Sequence, residues 1–303
     1  ATGQWNEPIV AFFTATSAVC VTGLIVVDTG SYYSPLGQLI ILLLIQVGGL
    51  GYMTATTLLL LVLKRRLRLK ERLAVQQSMD IQELSGGRSL IISIIGMTLI
   101  IELTGAFCLM PTMMREHGPA FGLWSALFHS ISAFNNAGFS LFEDSLVRYV
   151  HSGWVTGVIT LLVIFGGIGY QVIMEAFLWG RDRLLQRSQR SEFSLNFKVV
   201  VVTTLVLLLL GTFAFLVVEY TNPATLGYFP FQTKLSAAWF QSVIARTAGF
   251  NSVDINAMHD ASLFLMIALM FIGASPGSTG GGVKTTTISL LFVCTRTDRK
   301  SVV

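Results

Sequence analysis

Apolar residues run along this chain in long, nearly uninterrupted blocks, and the blocks fall into two length classes. Residues 37–63 (GQLIILLLIQVGGLGYMTATTLLLLVL) carry no charge at all. Residues 89–110 and 198–218 are of the same kind, with one acid, Glu102, inside the first. Residues 150–180 form another such block, with Glu175 near its end. At a rise of about 1.5 Å per residue, roughly 20 residues cross the hydrocarbon core of a bilayer, so each block predicts a spanning helix. Residues 261–274 are apolar but short; they run into SPGSTGGGVKTTT and then ISLLFV, which predicts a spanning helix broken in its middle. The second class comprises residues 8–19, 120–134 and 234–245, each 12 to 15 residues long. Such lengths predict re-entrant segments rather than spans.

Each short segment ends in a small polar cluster with one glycine: Val19-Cys20-Val21-Thr22-Gly23, Asn135-Asn136-Ala137-Gly138 and Arg246-Thr247-Ala248-Gly249. One such ending is an ordinary helix cap. Three of them form a repeat, because Gly23, Gly138 and Gly249 are spaced by 115 and 111 residues. After each comes an apolar segment with its own glycine cluster: Gly48-Gly49-Leu50-Gly51, Gly166-Gly167-Ile168-Gly169, and Gly273 through Gly282. Gly138 to Gly166 and Gly249 to Gly277 are both 28 residues. The order helix, half-helix, glycine turn, helix is thus predicted about three times. Its expected boundaries are 1–88, 89–197 and 198–303.

Composition agrees with lipid as the outer solvent. The 303 residues are 53% hydrophobic and 12% charged, with a mean hydropathy of +0.69. A soluble domain carries about 25% charged residues. The three cysteines (Cys20, Cys108, Cys294) and four histidines (His117, His129, His151, His259) are scattered, with neither metal-ligand nor disulfide spacing. Ala1-Thr2-Gly3-Gln4-Trp5 lacks the basic-then-apolar pattern of a cleavable signal and has no initiator methionine. The expectation is a chain that begins inside a longer protein. Of 20 Lys and Arg, 6 fall in 64–72, 5 in 181–198 and 3 in 296–300. The segments after the glycine turns hold acids instead: Asp28, Glu143, Asp144, Asp254 and Asp260. By the positive-inside rule the basic segments are cytoplasmic and the turns open outward.

Glycine turns at membrane depth have a chemical use. A cation enters a bilayer only if something replaces its water, and backbone carbonyls do so without titrating. Glycine permits the required dihedrals and close approach. Non-helical backbone at that depth must line a cavity or pack inside protein. Half-helices whose C-terminal, partially negative ends point at the turns favour a cation.

The set TATSAVCVTGL, SAFNNAGFS, ARTAGFN and GASPGSTGGGVKT, in that order, resembles the Trk/Ktr/HKT superfamily of cation transporters, and within it the Ktr membrane subunit. The resemblance implies an all-α integral membrane fold of four helix–pore-loop–helix repeats around a central pore, dimerised. About three repeats lie in this chain; the opening helix of the first and the whole fourth are expected to be missing. It implies potassium transport through a carbonyl-lined selectivity filter at Val21, Thr22, Gly23, Asn136, Ala137, Gly138, Thr247, Ala248 and Gly249. Glycine at all three filter positions resembles the potassium-selective members; serine in the first loop marks sodium-favouring relatives. An intramembrane gate is implied at Gly273, Ser275, Pro276, Gly277, Ser278, Thr279, Gly280, Gly281 and Gly282. Lys284 follows and brings a positive charge near the cation path.

K+ is then the transported ion, with Na+ left open as a coupling or activating ion and no organic cofactor in this chain. The implied partners are membrane lipid, a second copy of the subunit and a cytoplasmic ring of RCK-type nucleotide-binding subunits, with no nucleic acid. The implied location is the bacterial cell membrane, and no enzymatic activity is expected. Two other classes compete with this reading. GSTGGGVKT approaches a phosphate loop, but Val283 separates Gly282 from Lys284 and breaks the pattern. A secondary transporter also uses broken helices, yet the only charge in the turns is Arg246. Arg246 is expected in a structural ion pair with Glu102 or Glu175. The loop 273–284, being small and polar, is expected to have few contacts holding it.

Overall fold

The computed structural model describes residues 7–66, 87–185 and 193–301, with side chains described at 7–55, 91–185 and 193–295. Most of the basic stretch 64–72, the middle of 181–198 and the side chains of 296–300 lie outside the described residues. Among the described residues every element is helical: α1 (Pro8–Val19), α2 (Thr29–Tyr32), α3 (Pro35–Arg66), α4 (Gly87–His117), α5 (Pro119–Phe134), α6 (Gly153–Ile168), α7 (Tyr170–Leu184), α8 (Leu195–Glu219), α9 (Phe231–Ile244), α10 (Asp260–Phe271) and α11 (Thr285–Ser301). Pro35–Ala55 of α3, Ile91–His117 of α4 and all of α8 are long and apolar enough to cross a membrane. The short α1, α5 and α9 are 12, 16 and 14 residues. At 1.5 Å per residue they reach only about 18–24 Å, short of the roughly 30 Å hydrocarbon core.

The caps follow from sequence. Pro8 and Pro119 open α1 and α5, where a missing N–H costs nothing. Ser152 and Ser194 cap α6 and α8 by accepting from Val155 N (3.4 Å) and Phe197 N (3.1 Å). Asp28 caps α2 by accepting from Ser31 N at 2.7 Å.

The spanning helices expose large apolar side chains as well as burying them. On α8 the side chains of Val202, Leu205, Leu209, Leu210, Phe213 and Val217 are exposed. Its inner stripe, Val200, Thr204, Leu208, Gly211, Thr212, Phe215 and Glu219, follows the helical period. The buried face of α5 mixes polar side chains, Ser125, His129, Ser130, Ser132 and Asn135 at its cap, with Phe128 and Phe134. Short helices α5 and α9 sit centrally, packed with α4, α6 and α8 through Leu109, Phe134, Ile159, Leu162, Leu208, Phe240 and Val243.

One contact recurs between a spanning helix and the short helix after it. Ser130 of α5 donates to Glu102 O of α4 (2.6 Å), and Ser242 of α9 donates to Leu208 O of α8 (2.9 Å). Three residues on, Gly105 and Gly211 lie so close that a Cβ on either would strike that serine hydroxyl. Small residues let the two backbones meet without a driving force from lipid.

Two expectations about spans change. The block 150–180 is not one continuous helix: α6 and α7 meet at a bend of 105°. Gly169, at φ +95°, forms the corner. The block 89–110 runs on through Pro111 to His117. The expected break after 261–274 is present as the loop between α10 and α11.

Candidate functional site

Helices α1, α5 and α9 all end in turns built alike. Val21 (φ +55°) is followed two residues later by Gly23 (φ +73°), Asn136 (+55°) by Gly138 (+71°), and Thr247 (+70°) by Gly249 (+78°). In the first two turns the chain closes with a bond reaching five residues back, Thr22 N to Ser17 O (3.0 Å) and Ala137 N to Ser132 O (2.8 Å). That is the left-handed cap expected where a helix stops abruptly. The third closes one residue tighter, Ala248 N to Ile244 O at 3.0 Å. Glycine is the usual residue at such dihedrals, so β-branched Val21 and Thr247 hold stored strain.

The three glycines are brought together. A Cβ on Gly23 would lie 2.5 Å from Ala137 O and 3.3 Å from the Gly138 Cα. One on Gly138 would lie 2.8 Å from both Ala248 O and the Gly249 Cα, and one on Gly249 3.1 Å from the Gly138 Cα. Gly138 therefore sits between the other two. Among the described residues no hydrogen bond reaches the carbonyls of Val21, Thr22, Gly23, Asn136, Ala137, Gly138, Thr247, Ala248 or Gly249. These nine backbone acceptors, without a donor among the described residues, are carried by three turns that meet at Gly138, with Thr22 and Gly249 exposed.

Side chains behind the turns hold them in place. Ser17 and Thr22 hydroxyls meet at 2.9 Å, and Ser132 donates to Phe139 O at 2.7 Å. Asn135, the cap of α5, donates through Nδ2 to Glu102 Oε1 (2.9 Å), Ile131 O (2.9 Å) and Gln46 Oε1 (3.2 Å). Gln46 Nε2 in turn donates to Glu102 Oε2 at 3.0 Å. This Gln46–Glu102–Asn135 network spans α3, α4 and α5 and escaped the sequence reading; its only signal was one acid in an otherwise uncharged span.

Arg246 corrects another expectation. It pairs with neither Glu102 nor Glu175. Its Nη2 donates to Gly273 O (3.1 Å), and its buried Nε has no partner. Glu175 instead accepts from the Ser194 hydroxyl and amide at 2.9 and 3.2 Å. The reason is reach: Arg246 follows α9 directly and faces the loop between α10 and α11.

That loop is also better held than expected. Ala274, Ser275, Ser278 and Thr279 are buried. Gly273 N donates to Val283 O (3.1 Å), Ala274 N to Gly281 O (3.0 Å) and Thr285 N to Ala274 O (3.3 Å). The corner of the α6–α7 bend completes the tether, with Ser275 N donating to Gly167 O (3.0 Å), Thr279 N to Gly166 O (3.1 Å) and Tyr170 N to Gly277 O (3.1 Å). Ser278 donates to Ser275 O at 2.6 Å, and Ser275 meets the Thr285 hydroxyl at 3.0 Å. Lys284 Nζ donates to Gly280 O (2.8 Å) and lies 5.0 Å above the Tyr52 ring of α3. Pro276, Gly281 and Gly282 form the more open rim. The loop is small-residued because backbone, not side chain, makes most of its contacts.

Short helices ending in juxtaposed glycine turns, packed with long apolar helices, define an all-helical multi-pass membrane protein. The chain belongs to the TrkH family of cation transport proteins, whose family model matches residues 5–301. The Ktr system potassium uptake protein B of Bacillus subtilis is 41% identical over 282 residues, covering 93% of this chain and 62% of that protein. The Vibrio alginolyticus protein of the same name is 41% identical over 290 residues, covering 95% and 62%. The potassium/sodium uptake protein NtpJ of Enterococcus hirae is 38% identical over 291 residues, covering 96% and 62%. This chain thus spans 62% of the length of these curated relatives. Among solved structures, the potassium transporter TrkH from Vibrio parahaemolyticus shares the fold at a TM-score of 0.71 and 19% identity, covering 98% of this chain and 57% of that one.

Proposed function

We propose that the protein containing this chain moves potassium ions across the bacterial cell membrane along a path lined by the carbonyls of its glycine turns. The observation that carries this reading is the nine carbonyls without a donor on three adjoining turns. They replace the hydration shell of a cation, and the C-terminal ends of α1, α5 and α9 add negative potential at the same place. Each repeat, taken as 1–88, 89–197 and 198–303, contributes one wall. Gly138 touches both Gly23 and Gly249, an arrangement that supports a ring of turns with Gly138 in the middle of the three.

The loop 273–284 is the gate in this reading. It follows the third turn, on the way to the basic stretch 296–300, and so belongs on the cytoplasmic side of the turns. A second copy of the subunit and a cytoplasmic nucleotide-binding ring complete the proposed assembly, in keeping with relatives named as parts of a Ktr system. Sodium is the second ion to test, because one relative is named for both ions.

Gly249→Ser tests the filter. The new side chain must adopt a left-handed dihedral, which costs roughly 1–2 kcal/mol, and its Cβ is pressed to 3.1 Å from the Gly138 Cα. The apparent potassium affinity of the full-length protein should fall about five- to thirtyfold, the equivalent of that strain, and potassium should lose ground to sodium. Uptake kinetics unchanged for both ions, at normal protein levels, would refute the filter assignment.

A further inference from the structure

We infer that Thr279, a residue of the loop between α10 and α11, is a positioning residue for the second glycine turn and so helps set which cation the turns accept. The inference rests on the filter reading above and extends it: the proposed gate and the proposed filter share a hydrogen-bonded joint.

Thr279 is buried and has three bonds, all directed at the second repeat. Its amide donates to Gly166 O at 3.1 Å, fixing it to α6. Its hydroxyl donates to Phe134 O (3.1 Å), the last carbonyl of α5, and accepts from Asn136 Nδ2 at 2.8 Å. Asn136 is the left-handed residue that opens the second turn, at φ +55°. Its other amide atom, Oδ1, is buried without a partner. Among the described residues, the Thr279 hydroxyl is therefore what holds the Asn136 side chain.

The other turns are tied differently. In the first, Val21 stands where Asn136 stands in the second and has no polar side-chain atom; Thr22 is held within its own turn by Ser17. In the third, the Thr247 hydroxyl has no partner, and it sits where a Cβ on Gly280 would come within 2.9 Å. The second turn is thus hydrogen-bonded through a side chain to the loop, and the third is in packing contact with it. A left-handed non-glycine residue stays in place only while its surroundings over-determine it. If Thr279 leaves, Asn136 loses its side-chain anchor, and the carbonyls of Asn136, Ala137 and Gly138 lose part of what sets their positions.

A loop that only obstructs passage scales the fluxes of all ions alike. A loop that also positions carbonyls changes their ratio. The experiment measures K+, Rb+ and Na+ uptake by the full-length protein with its partner ring, in proteoliposomes at matched protein amounts. Thr279→Val keeps the shape and removes the hydroxyl. It should change the K+/Na+ preference about two- to tenfold, the range expected for one buried hydrogen bond. Thr279→Ser should restore the preference. Ser278→Ala, which removes only the bond to Ser275 O within the loop, should alter rates and leave the ratio unchanged. If Thr279→Val does not assemble, Thr279→Ala adds no bulk and has the same expected outcome. Gly249→Ser runs in parallel. If it shifts the ratio while Thr279→Val scales all ions equally, the inference is overturned and the filter reading stands. If neither shifts the ratio, the filter reading fails and the inference with it.

Discussion

Asn135 places one amide nitrogen among three acceptors, and two of them, Glu102 Oε1 and Gln46 Oε1, come from other helices. The resulting network makes Glu102, 1% exposed, a structural residue at the end of α5. The sequence marked Glu102 as unusual without indicating its partner, because three helices must assemble before the pairing exists. Removing the carboxylate takes from Gln46 Nε2 its acceptor in the network, while Asn135 Nδ2 keeps Ile131 O and Gln46 Oε1. A buried group so orphaned costs about 1–3 kcal/mol. Glu102→Leu should therefore lower the thermal stability of the detergent-solubilised protein markedly. Glu102→Gln, which keeps one acceptor oxygen, should lower it less. Loss of monodisperse protein with temperature, followed by size-exclusion chromatography, gives the comparison; a Leu variant as stable as the parent would show that the network contributes nothing. The glycines, by contrast, were legible. Gly23, Gly138 and Gly249 stood out by their spacing, and the structure gives all three the positive φ that favours glycine.

At the scale of elements, two glycine clusters that look alike in sequence behave differently. Gly48, Gly49 and Gly51 stay inside the continuous helix α3, whereas Gly166, Gly167 and Gly169 break α6 from α7. The difference is not local. In a continuous helix Tyr170 N would donate to Gly166 O. Here Tyr170 N donates to Gly277 O, and Gly166 O accepts from Thr279 N, so one helical bond is exchanged for two bonds to the loop. A partner more than 100 residues away decides the fate of 150–180, which is why reading that block alone predicted one continuous helix. The same exchange explains why the loop is firmer than its composition implied. Gly169→Ala tests the joint: its Cβ would stand 2.6 Å from Pro276 O at φ +95°. The substitution should push the loop away, so that a cysteine introduced at Ser278, buried in the parent, reacts faster with a thiol reagent. Gly180→Ala, in open space within α7, should leave that reactivity unchanged and stabilise the helix by up to about 1 kcal/mol. Equal reactivity in Gly169→Ala and the parent would separate the bend from the loop.

At the scale of the whole molecule, the spanning helices expose many large apolar side chains, while buried polar side chains such as Glu102, Asn135, Asn136 and Thr279 are enclosed with an apolar core near the turns and the loop. Composition and block length made that architecture legible; which loop bonds to which bend was settled only by tertiary contacts. The contacts also reset the energetics of the proposed gate. The loop is tethered by Ser275, Thr279, Tyr170, Asn136, Arg246 and Lys284, so moving it must break several bonds at once. Fluctuation of a slack segment does not describe such a loop; on the gate reading, the tethered arrangement is the closed one and the proposed partner must pull it apart. A cytoplasmic ring can do so only by binding the displaced arrangement more tightly than the tethered one, and shifting a population from 1:99 to 99:1 takes roughly 5.5 kcal/mol of differential binding. Deleting residues 275–281 removes the obstruction together with most of the tethers. Potassium flux in the full-length protein should rise and become nearly independent of the partner ring and its nucleotide. Lys284→Ala takes away one bond to Gly280 O and the contact with the Tyr52 ring while leaving the loop in place. It should act in the same direction and more weakly, raising basal flux and reducing the stimulation by the ring. Flux measured with and without the ring, at matched protein levels, checks both. A deletion variant that folds and still conducts less than the parent, or that keeps its full dependence on the ring, would show that the segment between α10 and α11 supports the pore instead of closing it.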